Sequence, residues 1–272
     1  MKNTKGIFHH LILIVGVIIC VLPILWVISS SLKTQTSVFS DLSLIPREMQ
    51  FQNYVEAWQK GDFGSYFFNS VFYTVTVVFG VLFISSLAGF GLARLQLPGK
   101  NIIFLILIST MMIPIPGAFI ALYVLLSELR LINTRLGYIL CLISTGLPFA
   151  LFLFKSFFDG ISKDLEDAAE IDGCSKFQLY LKIALPLSKP IIAIVAIHNA
   201  ILVWNEFLLA MVVLTDRKLM PLQRGLMVFQ GAHMAEYHLL MAGIAITTIP
   251  VIIIYFLMQK HIISGVMAGA LK

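Results

Sequence analysis

Long apolar runs, separated by shorter polar segments, dominate the hydrophobic pattern of this 272-residue chain. Six of the runs could cross a hydrocarbon core of about 30 Å as helices, which takes about 20 mostly apolar residues. The pattern predicts spanning helices at residues 9–31, 67–92, 102–126, 136–158, 188–213 and 239–260. The first run is too long for the core of a signal peptide and lacks a following small-residue cleavage site, so we expect a retained helix.

The composition agrees with a protein whose main solvent is lipid. Hydrophobic residues make up 59% of the chain, charged residues 12%, and the mean hydropathy is +0.93. A soluble domain is about half apolar and about a quarter charged. The net charge of +5 is not gathered into a basic block, so nucleic acid is not expected as a partner. Cys20, Cys141 and Cys174 are too scattered for a metal site or a disulfide framework.

The positions of lysine and arginine predict the orientation. With the N-terminus inside, 11 of the 19 basic residues fall on the cytoplasmic side and 8 outside, in the direction of the positive-inside rule. Both termini and the polar segment from Glu166 to Lys189 are then cytoplasmic. Segment 32–66 lies outside, and its apolar residues at helical spacing predict an amphipathic helix that either rests on the membrane interface or forms a docking surface. These residues are Phe51, Tyr54, Val55 and Trp58.

The polar segment after the fourth apolar run predicts a short helix with clear ends. Ser162 can cap its N-terminus, and the acidic residues that follow favour the positive end of the helix dipole. Ala168 and Ala169 leave a narrow flank that another backbone can approach. Gly173 suits a left-handed stop, since glycine adopts positive φ without a Cβ penalty.

A second short helix is predicted after that stop. Ser175 and Gln178 have the spacing of a capping box. An apolar face is expected from Phe177, Tyr180, Leu181 and Ala184, and Pro186 and Pro190 are expected to close the helix before the fifth span.

This segment resembles the "EAA" loop of ABC-importer permeases, and the whole chain resembles the second permease subunit of carbohydrate importers of the maltose-permease type. The matching stretches are Glu166-Asp-Ala-Ala-Glu-Ile-Asp-Gly173, Leu185-Pro186, Trp204-Asn-Glu-Phe-Leu208, Met220-Pro-Leu222 and the tail from Ser264 to Lys272. The sequence departs from the family pattern in small ways, such as Cys174 after Asp-Gly.

The resemblance implies an all-α fold, the ABC type I importer permease fold, in one domain over residues 1–272. Its parts are a core at about 66–260, an outer amphipathic segment at 32–66, the EAA coupling loop at 159–187 and a cytoplasmic tail at 261–272. It also implies that the loop docks on a cytoplasmic ATPase through Glu166, Ala168, Ala169, Asp172, Gly173 and Pro186, with Glu166 facing a basic group there. The tail would contact the ATPase through Gly265, Ala268 and Gly269.

The chain cannot bind ATP through a P-loop, because its only Gly-Lys pair, Gly99-Lys100, has no glycine five residues before it. The resemblance therefore implies no cofactor in this chain, with ATP and Mg on separate ATPase subunits. The implied partners are a second permease, two ATPase copies, an extracytoplasmic sugar-binding protein and membrane lipid. The implied location is a bacterial plasma (inner) membrane.

The fifth predicted span carries the densest polar cluster of any span. At about 100° per residue, His198, Asn199, Asn205 and Glu206 form one stripe roughly 100° wide. Polar groups at membrane depth usually face a cavity or another helix. The stripe is therefore a candidate translocation path. Interhelical hydrogen bonding is an equal alternative for His198 and Asn199 and the favoured one for Asn205 and Glu206. Prolines also collect at mid-span, at Pro114, Pro116, Pro148 and Pro250.

Two other classes of membrane protein fit the sequence less well. An ion-coupled secondary transporter would call for carboxylates near the midplane, and Glu206 is the only acid inside a predicted span and lies off-centre. A membrane-embedded hydrolase would need histidines and carboxylates on facing helices at one depth. Within the importer class, a substrate of the glycerol-phosphate type remains an alternative to an oligosaccharide.

Overall fold

The computed structural model describes the backbone of residues 2–112, 115–231 and 235–270, and the side chains of residues 9–112, 117–231 and 235–256. Every regular element in these ranges is a helix. The helices are α1 (Lys2–Ser31), α2 (Ser37–Ser40), α3 (Gln52–Lys60), α4 (Phe63–Arg94), α5 (Lys100–Ser109), α6 (Ile115–Glu128), α7 (Arg135–Asp159), α8 (Lys163–Ile171), α9 (Lys176–Leu179), α10 (Leu185–Leu187), α11 (Lys189–Trp204), α12 (Leu208–Val213), α13 (Leu222–Gly225) and α14 (Tyr237–Ala270). The all-α prediction is confirmed.

The described residues contain four helices that are long and apolar enough to cross a membrane. They are α1 from His9 onward, α4, α7 and α14 as far as Phe256. The count becomes six if two bent pairs of shorter helices are each taken as one span. The pairs are Lys100–Met112 with Gly117–Glu128, and Lys176–Leu187 with Lys189–Trp204.

Two predicted spans are not continuous helices. The third, at 102–126, consists of α5, a 3₁₀ turn at Thr110–Met112 and then α6. Pro116 stands in the first turn of α6, where the N–H that proline lacks has no partner within the helix; Pro114 lies outside the described residues. The fifth, at 188–213, ends as α11 at Trp204, and α12 begins only at Leu208.

The last helix differs from the prediction at its end. The predicted span stops at residue 260, whereas α14 continues to Ala270. The residues taken as a separate tail are therefore helical up to that point. Their side chains, including those of Ala268 and of every residue after Phe256, lie outside the described part of the chain.

The chain divides into two compact units, one made of residues 1–65 and 225–250, the other of residues 66–224 and 251–272. In the second unit α4 and α7 lie side by side and run in the same direction. Three contacts show this, since their residue numbers increase together along both helices. These pairs are Asn69 with Arg135, Tyr73 with Tyr138 and Phe90 with Phe158.

In the first unit, α1 exposes its apolar side chains from Leu11 to Leu25, as a helix in contact with lipid would. Its C-terminal end is held by Asn53 of α3, whose amide donates to the carbonyls of Ser31 and Lys33 at 2.8 Å each. The predicted amphipathic helix is present as α3, and its place outside the membrane stays a prediction. Phe51, Val55 and Trp58 are exposed, with Trp58 at 44%, whereas Tyr54 is half-buried; exposed apolar side chains of this kind favour contact with the membrane interface.

Candidate functional site

The first helix of the polar segment starts where the sequence predicts. The Ser162 hydroxyl accepts a hydrogen bond from the Asp164 N–H at 3.2 Å and caps α8. Asp164 and Glu166 stand in the first turn, where negative charge favours the helix dipole. The local sequence alone therefore sets this end of the helix.

The end of α8 is a left-handed turn at Gly173, whose φ is +79°. The Gly173 N–H donates to the Glu170 carbonyl at 3.0 Å, and the Cys174 N–H donates to the Ala169 carbonyl at 2.9 Å. This pair of bonds is the Schellman motif, which satisfies carbonyls that a helix end leaves free. The predicted glycine stop is confirmed. Asp172 is the C-cap residue and is exposed.

The second helix has the predicted capping box, with Ser175 and Gln178 each accepting from the other's backbone N–H. Its predicted apolar face is wrong in part. Leu179, Tyr180 and Ala184 are buried, whereas Phe177 is 62% exposed and Leu181 is also exposed. Leu181 lies in a π-helical turn at Tyr180–Ala184, which adds a residue to the turn and shifts the register of the face from there on.

Glu166 points back to its own chain, to the C-terminal end of α4. Its Oε1 lies 2.6 Å from Nε of Arg94, and the two side chains are only 12% and 8% exposed. Arg94 Nη2 also donates to the Ile161 carbonyl at 2.5 Å. Within the described side chains Glu166 therefore has a basic partner on its own chain, and its contact with a basic group on another protein stays a prediction.

A second contact holds the segment to α4. The hydroxyls of Tyr180 and Ser86 are 2.8 Å apart, both in buried positions. The Tyr180 ring packs against Phe90, with 5.3 Å between the ring centroids. The segment is therefore fixed to α4 at two positions, Ser86 and Arg94.

The alanine pair divides between the two sides of α8. Ala169 is 5% exposed and belongs to the chain's own core, so its expected place on a partner surface is corrected. Ala168 is exposed, and it lies within an arc of about 120° with four other exposed residues of the segment. We call this arc the outward face of α8: Asp164, Leu165, Ala168, Ile171 and Asp172. Ile171, at 86% exposure, is its most prominent apolar side chain.

The segment passes directly into the next span. Pro186 is exposed in the first turn of α10, where a missing N–H costs nothing. The chain then bends by 73° at Ser188, between the helical stretches Lys176–Leu187 and Lys189–Trp204. The bend separates the second short helix from the fifth span, at the place where Pro186 and Pro190 were predicted to end that helix.

The candidate translocation residues do not form one stripe. His198 borders a cavity of about 440 Å³, where its ring packs against Phe149 of α7 with 4.3 Å between centroids. Asn199 is 1% exposed, donates to the Val195 carbonyl at 2.9 Å, and lies against Gly146, where a Cβ would come 2.1 Å from its Oδ1. Only His198 of these two borders the cavity.

Asn205 and Glu206 lie at the junction between α11 and α12. Asn205 is the C-cap of α11, and its amide donates to the Ile201 carbonyl at 2.9 Å. The Glu206 carboxylate accepts from the N–H groups of Leu209 and Ala210 at 2.5 and 3.0 Å, and from the Tyr138 hydroxyl at 2.8 Å. These contacts end the fifth span early. The 100° periodicity therefore extends as far as Asn205, whose N–H still donates to the Ile201 carbonyl at 3.1 Å, and does not extend to Glu206.

The expected ATPase-contacting tail cannot be placed by its contacts, since the side chains of Gly265, Ala268 and Gly269 lie outside the described residues. The place of Phe149 beside the cavity was not predicted, because one more aromatic residue in an apolar helix carries no signal for a binding site. Arg94 was missed for a different reason: it reads as a basic residue at the end of a span. Within the described side chains, no cluster of His, Cys, Asp and Glu could hold a metal ion.

The chain is similar in sequence to known transport proteins. Residues 81–267 match the family model described as "Binding-protein-dependent transport system inner membrane component". The chain is 35% identical to the probable ABC transporter permease protein YurM of Bacillus subtilis, over 92% of this chain and 83% of that one. It is 32% identical to the diacetylchitobiose uptake system permease protein NgcG of Streptomyces coelicolor, over 97% and 88%.

A solved structure has the same fold. It belongs to a bacterial ABC transporter involved in the import of the acidic polysaccharide alginate, and it superposes with a TM-score of 0.83. The sequence identity is 26%, over 95% of this chain and 96% of the other.

Proposed function

Because this chain belongs to the family of binding-protein-dependent transport system inner membrane components, we propose that it is one permease half of an ATP-driven importer for a carbohydrate. The carbohydrate class is supported by the relative named for diacetylchitobiose uptake and by the transporter involved in alginate import. An oligosaccharide is the substrate we favour. The second permease half would complete the pathway.

The observation that carries the coupling role is the outward face of α8. Ile171 is 86% exposed on a capped, well-formed helix, and burying such a side chain on a partner is worth about 1.5–3 kcal/mol. Arg94 fixes this helix to α4, and Tyr180 fixes the π-helical turn that follows α9 to α4, so a force on the outward face is passed to a spanning helix. A cytoplasmic ATPase, present in two copies, is the partner we propose for this face.

The remaining assignments follow from the same proposal. The chain itself would bind no nucleotide, and ATP and Mg would be held by the ATPase subunits. Both termini would be cytoplasmic in the plasma membrane of a bacterium, and a sugar-binding protein would deliver substrate from outside. Gly265, Ala268 and Gly269 remain candidates for contact with the ATPase.

Ion-coupled transport has less support. A coupling carboxylate must bind and release an ion during transport. Glu206, the acid in the predicted fifth span, accepts hydrogen bonds from two backbone N–H groups and from Tyr138, so it serves as a helix cap. A structural role for this carboxylate leaves the secondary transporter without an ion site on this helix.

Purification of the tagged chain from its native membrane tests the proposal. We expect a second permease and an ATPase to copurify, and Ile171→Glu to lose the ATPase while keeping the second permease. Leu42→Glu is the matched control, because Leu42 is 77% exposed but lies in the outer segment. Transport by this chain alone in liposomes, without ATP, would refute the proposal.

A further inference from the structure

The cavity beside His198 has the position and size of a binding site. It lies among side chains of α6, α7, α11 and the 3₁₀ turn, and its volume of about 440 Å³ is within the range of about 300–1,000 Å³ for small-molecule pockets. Phe149 lies about 15 Å along α7 from Asp159, and His198 about 14 Å along α11 from Lys189, at 1.5 Å per residue. Both are therefore near mid-helix, at membrane depth.

Three hydroxyl groups line the cavity, and none of them accepts a hydrogen bond from a described residue. Ser144 donates to the Cys141 carbonyl at 2.7 Å, Thr145 to the Leu142 carbonyl at 2.8 Å, and Thr110 to the Leu107 carbonyl at 2.6 Å. Each proton is used within its own helical turn, while the oxygen keeps lone pairs to accept a hydrogen bond. The wall therefore offers acceptors to a ligand rich in hydroxyl donors.

His198 leaves one polar atom unsatisfied. Its Nδ1 is buried and has no hydrogen-bond partner among the described residues. A buried polar atom without a partner costs about 1–3 kcal/mol, so a ligand that supplies a partner gains that energy on binding. Lipid tails cannot supply one. The ring of Phe149 beside it presents an apolar surface, tilted 34° to the imidazole.

We propose that this cavity is a subsite for one neutral sugar ring of the transported carbohydrate. The apolar C–H face of the ring packs on Phe149, one sugar hydroxyl binds His198 Nδ1, and other hydroxyls donate to Ser144 and Thr145. The subsite rests on the proposed carbohydrate importer and adds to it the place where this permease half touches the substrate.

Neutrality follows from the lining. Among the described residues that border the cavity, none is lysine, arginine, aspartate or glutamate. A phosphate or carboxylate buried without a countercharge pays a large desolvation penalty. The subsite therefore selects against a glycerol-phosphate substrate and against acidic sugars.

The test uses the complete transporter, with second permease, ATPase and binding protein, in proteoliposomes. The probes are radiolabelled diacetylchitobiose, maltose, melibiose and glycerol 3-phosphate, and the readouts are initial uptake and ATP hydrolysis. For the neutral sugar that the wild type imports, Phe149→Leu is expected to lower uptake roughly threefold to tenfold, since an aromatic face contact is replaced by an aliphatic one. ATP hydrolysis should continue, so that less sugar enters per ATP.

Two further variants separate binding from structure. Phe149→Tyr keeps the aromatic face, so its uptake is expected to be close to that of the wild type. His198→Leu removes the imidazole and is expected to reduce uptake about as much as Phe149→Leu does. The matched control is Phe152→Leu, on the same helix but outside the cavity lining and 45% exposed. Equal uptake by the Phe149→Leu and Phe152→Leu variants would overturn the subsite.

Three other outcomes would count against the subsite or against the proposed function. Parallel loss of uptake and ATP hydrolysis in Phe149→Leu, without recovery in Phe149→Tyr, would mean a structural role and overturn the subsite alone. Import of glycerol 3-phosphate in place of the sugars would overturn both the carbohydrate assignment and the neutral subsite. A wild-type transporter that imports none of the four probes would count against the proposed function, and the subsite would fall with it.

Discussion

Nε of Arg94 lies 2.6 Å from Oε1 of Glu166, an ion pair that joins the end of a spanning helix to the first turn of α8. The same guanidinium donates to the Ile161 carbonyl in the connection between α7 and α8. Three parts of the second unit thus meet at one side chain. Glu166 therefore holds α8 in place, and the outward face of α8 stays exposed, where a partner could bind.

Removing one member of this pair should destabilise the protein. Arg94→Met leaves the Glu166 carboxylate nearly buried without a countercharge, for which we expect a loss of about 3–5 kcal/mol. The double variant Arg94→Met/Glu166→Met removes both charges and should recover most of the loss. The thermal unfolding midpoint of the purified protein in detergent measures both effects.

A surface ion pair provides the control for that experiment. Lys176 pairs with Glu170, and the two side chains are 50% and 46% exposed. Glu170→Gln should cost less than about 1 kcal/mol, since exposed pairs contribute little. Single and double variants at Arg94 and Glu166 that unfold at the same temperature would contradict an energetic link between them.

The left-handed turn at Gly173 should be needed for coupling. Valine at a φ of +79° costs about 1–3 kcal/mol of backbone strain and would shift the end of α8. We expect Gly173→Val to insert into the membrane and to hydrolyse ATP with little uptake. Gly173→Asn should retain most uptake, because asparagine tolerates this conformation.

A second glycine with positive φ serves as a control for backbone strain, because it lies outside the α8 segment. Gly99 has a φ of +72° in the connection between α4 and α5, outside the α8 segment. Gly99→Val carries a similar strain, so normal coupling is expected of that variant. Uptake per ATP measured side by side makes the comparison, and normal uptake by Gly173→Val would disprove the coupling role of the turn.

The ends of α8 were predictable from sequence because caps depend on local chemistry. Ser162, Gly173 and the Ser175–Gln178 box act on residues within five positions of themselves. The direction in which Glu166 points was not predictable in the same way. It depends on Arg94, which is close only after α4 and α7 have packed side by side.

The surroundings of the four polar residues in the fifth predicted span were not predictable for a related reason. A helical wheel assumes an unbroken helix, and Glu206 ends that helix by accepting hydrogen bonds from the first turn of α12. His198 and Asn199 are neighbours in sequence and still face different surroundings. The cavity needs Phe149 from α7 and Thr110 from the 3₁₀ turn, a combination that no local pattern encodes.

The contact between Tyr138 and Glu206 should stabilise the junction of α11 and α12. Tyr138 is fully buried and its hydroxyl donates to a charged acceptor at 2.8 Å. Tyr138→Phe should therefore cost about 1.5–3 kcal/mol, the range for hydrogen bonds to charged groups. Tyr123→Phe, at a tyrosine 47% exposed on α6, should change stability by less than about 0.5 kcal/mol.

The unfolding midpoints of these variants are compared with Glu206→Ala, which removes the cap and the acceptor together. We expect it to be the least stable of the three, because it also frees two N–H groups at the start of α12. If Tyr138→Phe unfolds at the same temperature as Tyr123→Phe, the hydrogen bond adds nothing to stability.

Lys33 should hold the outer segment of the first unit closed. It is 1% exposed, and its Nζ donates to the carbonyls of Asp41 and Ser43 at 2.5 and 2.8 Å. Lys33→Met keeps the length of the side chain and removes both hydrogen bonds. We expect faster tryptic cleavage after Arg47, roughly tenfold or more, because bonds from a charged donor are worth about 1.5–3 kcal/mol each and cleavage follows the open population.

Cleavage is measured with trypsin added to intact spheroplasts, which reaches Arg47 only if this segment is extracytoplasmic, as the lysine and arginine distribution predicts. Lys60→Met is the matched control, because Lys60 pairs with Glu56 and Glu236 on the surface of the same unit, at 46% side-chain exposure. Equal cleavage rates for the Lys33→Met and Lys60→Met variants would contradict the role of the buried lysine. Cleavage confined to inside-out vesicles would instead reverse the predicted orientation, since trypsin outside the cell would then never meet Arg47.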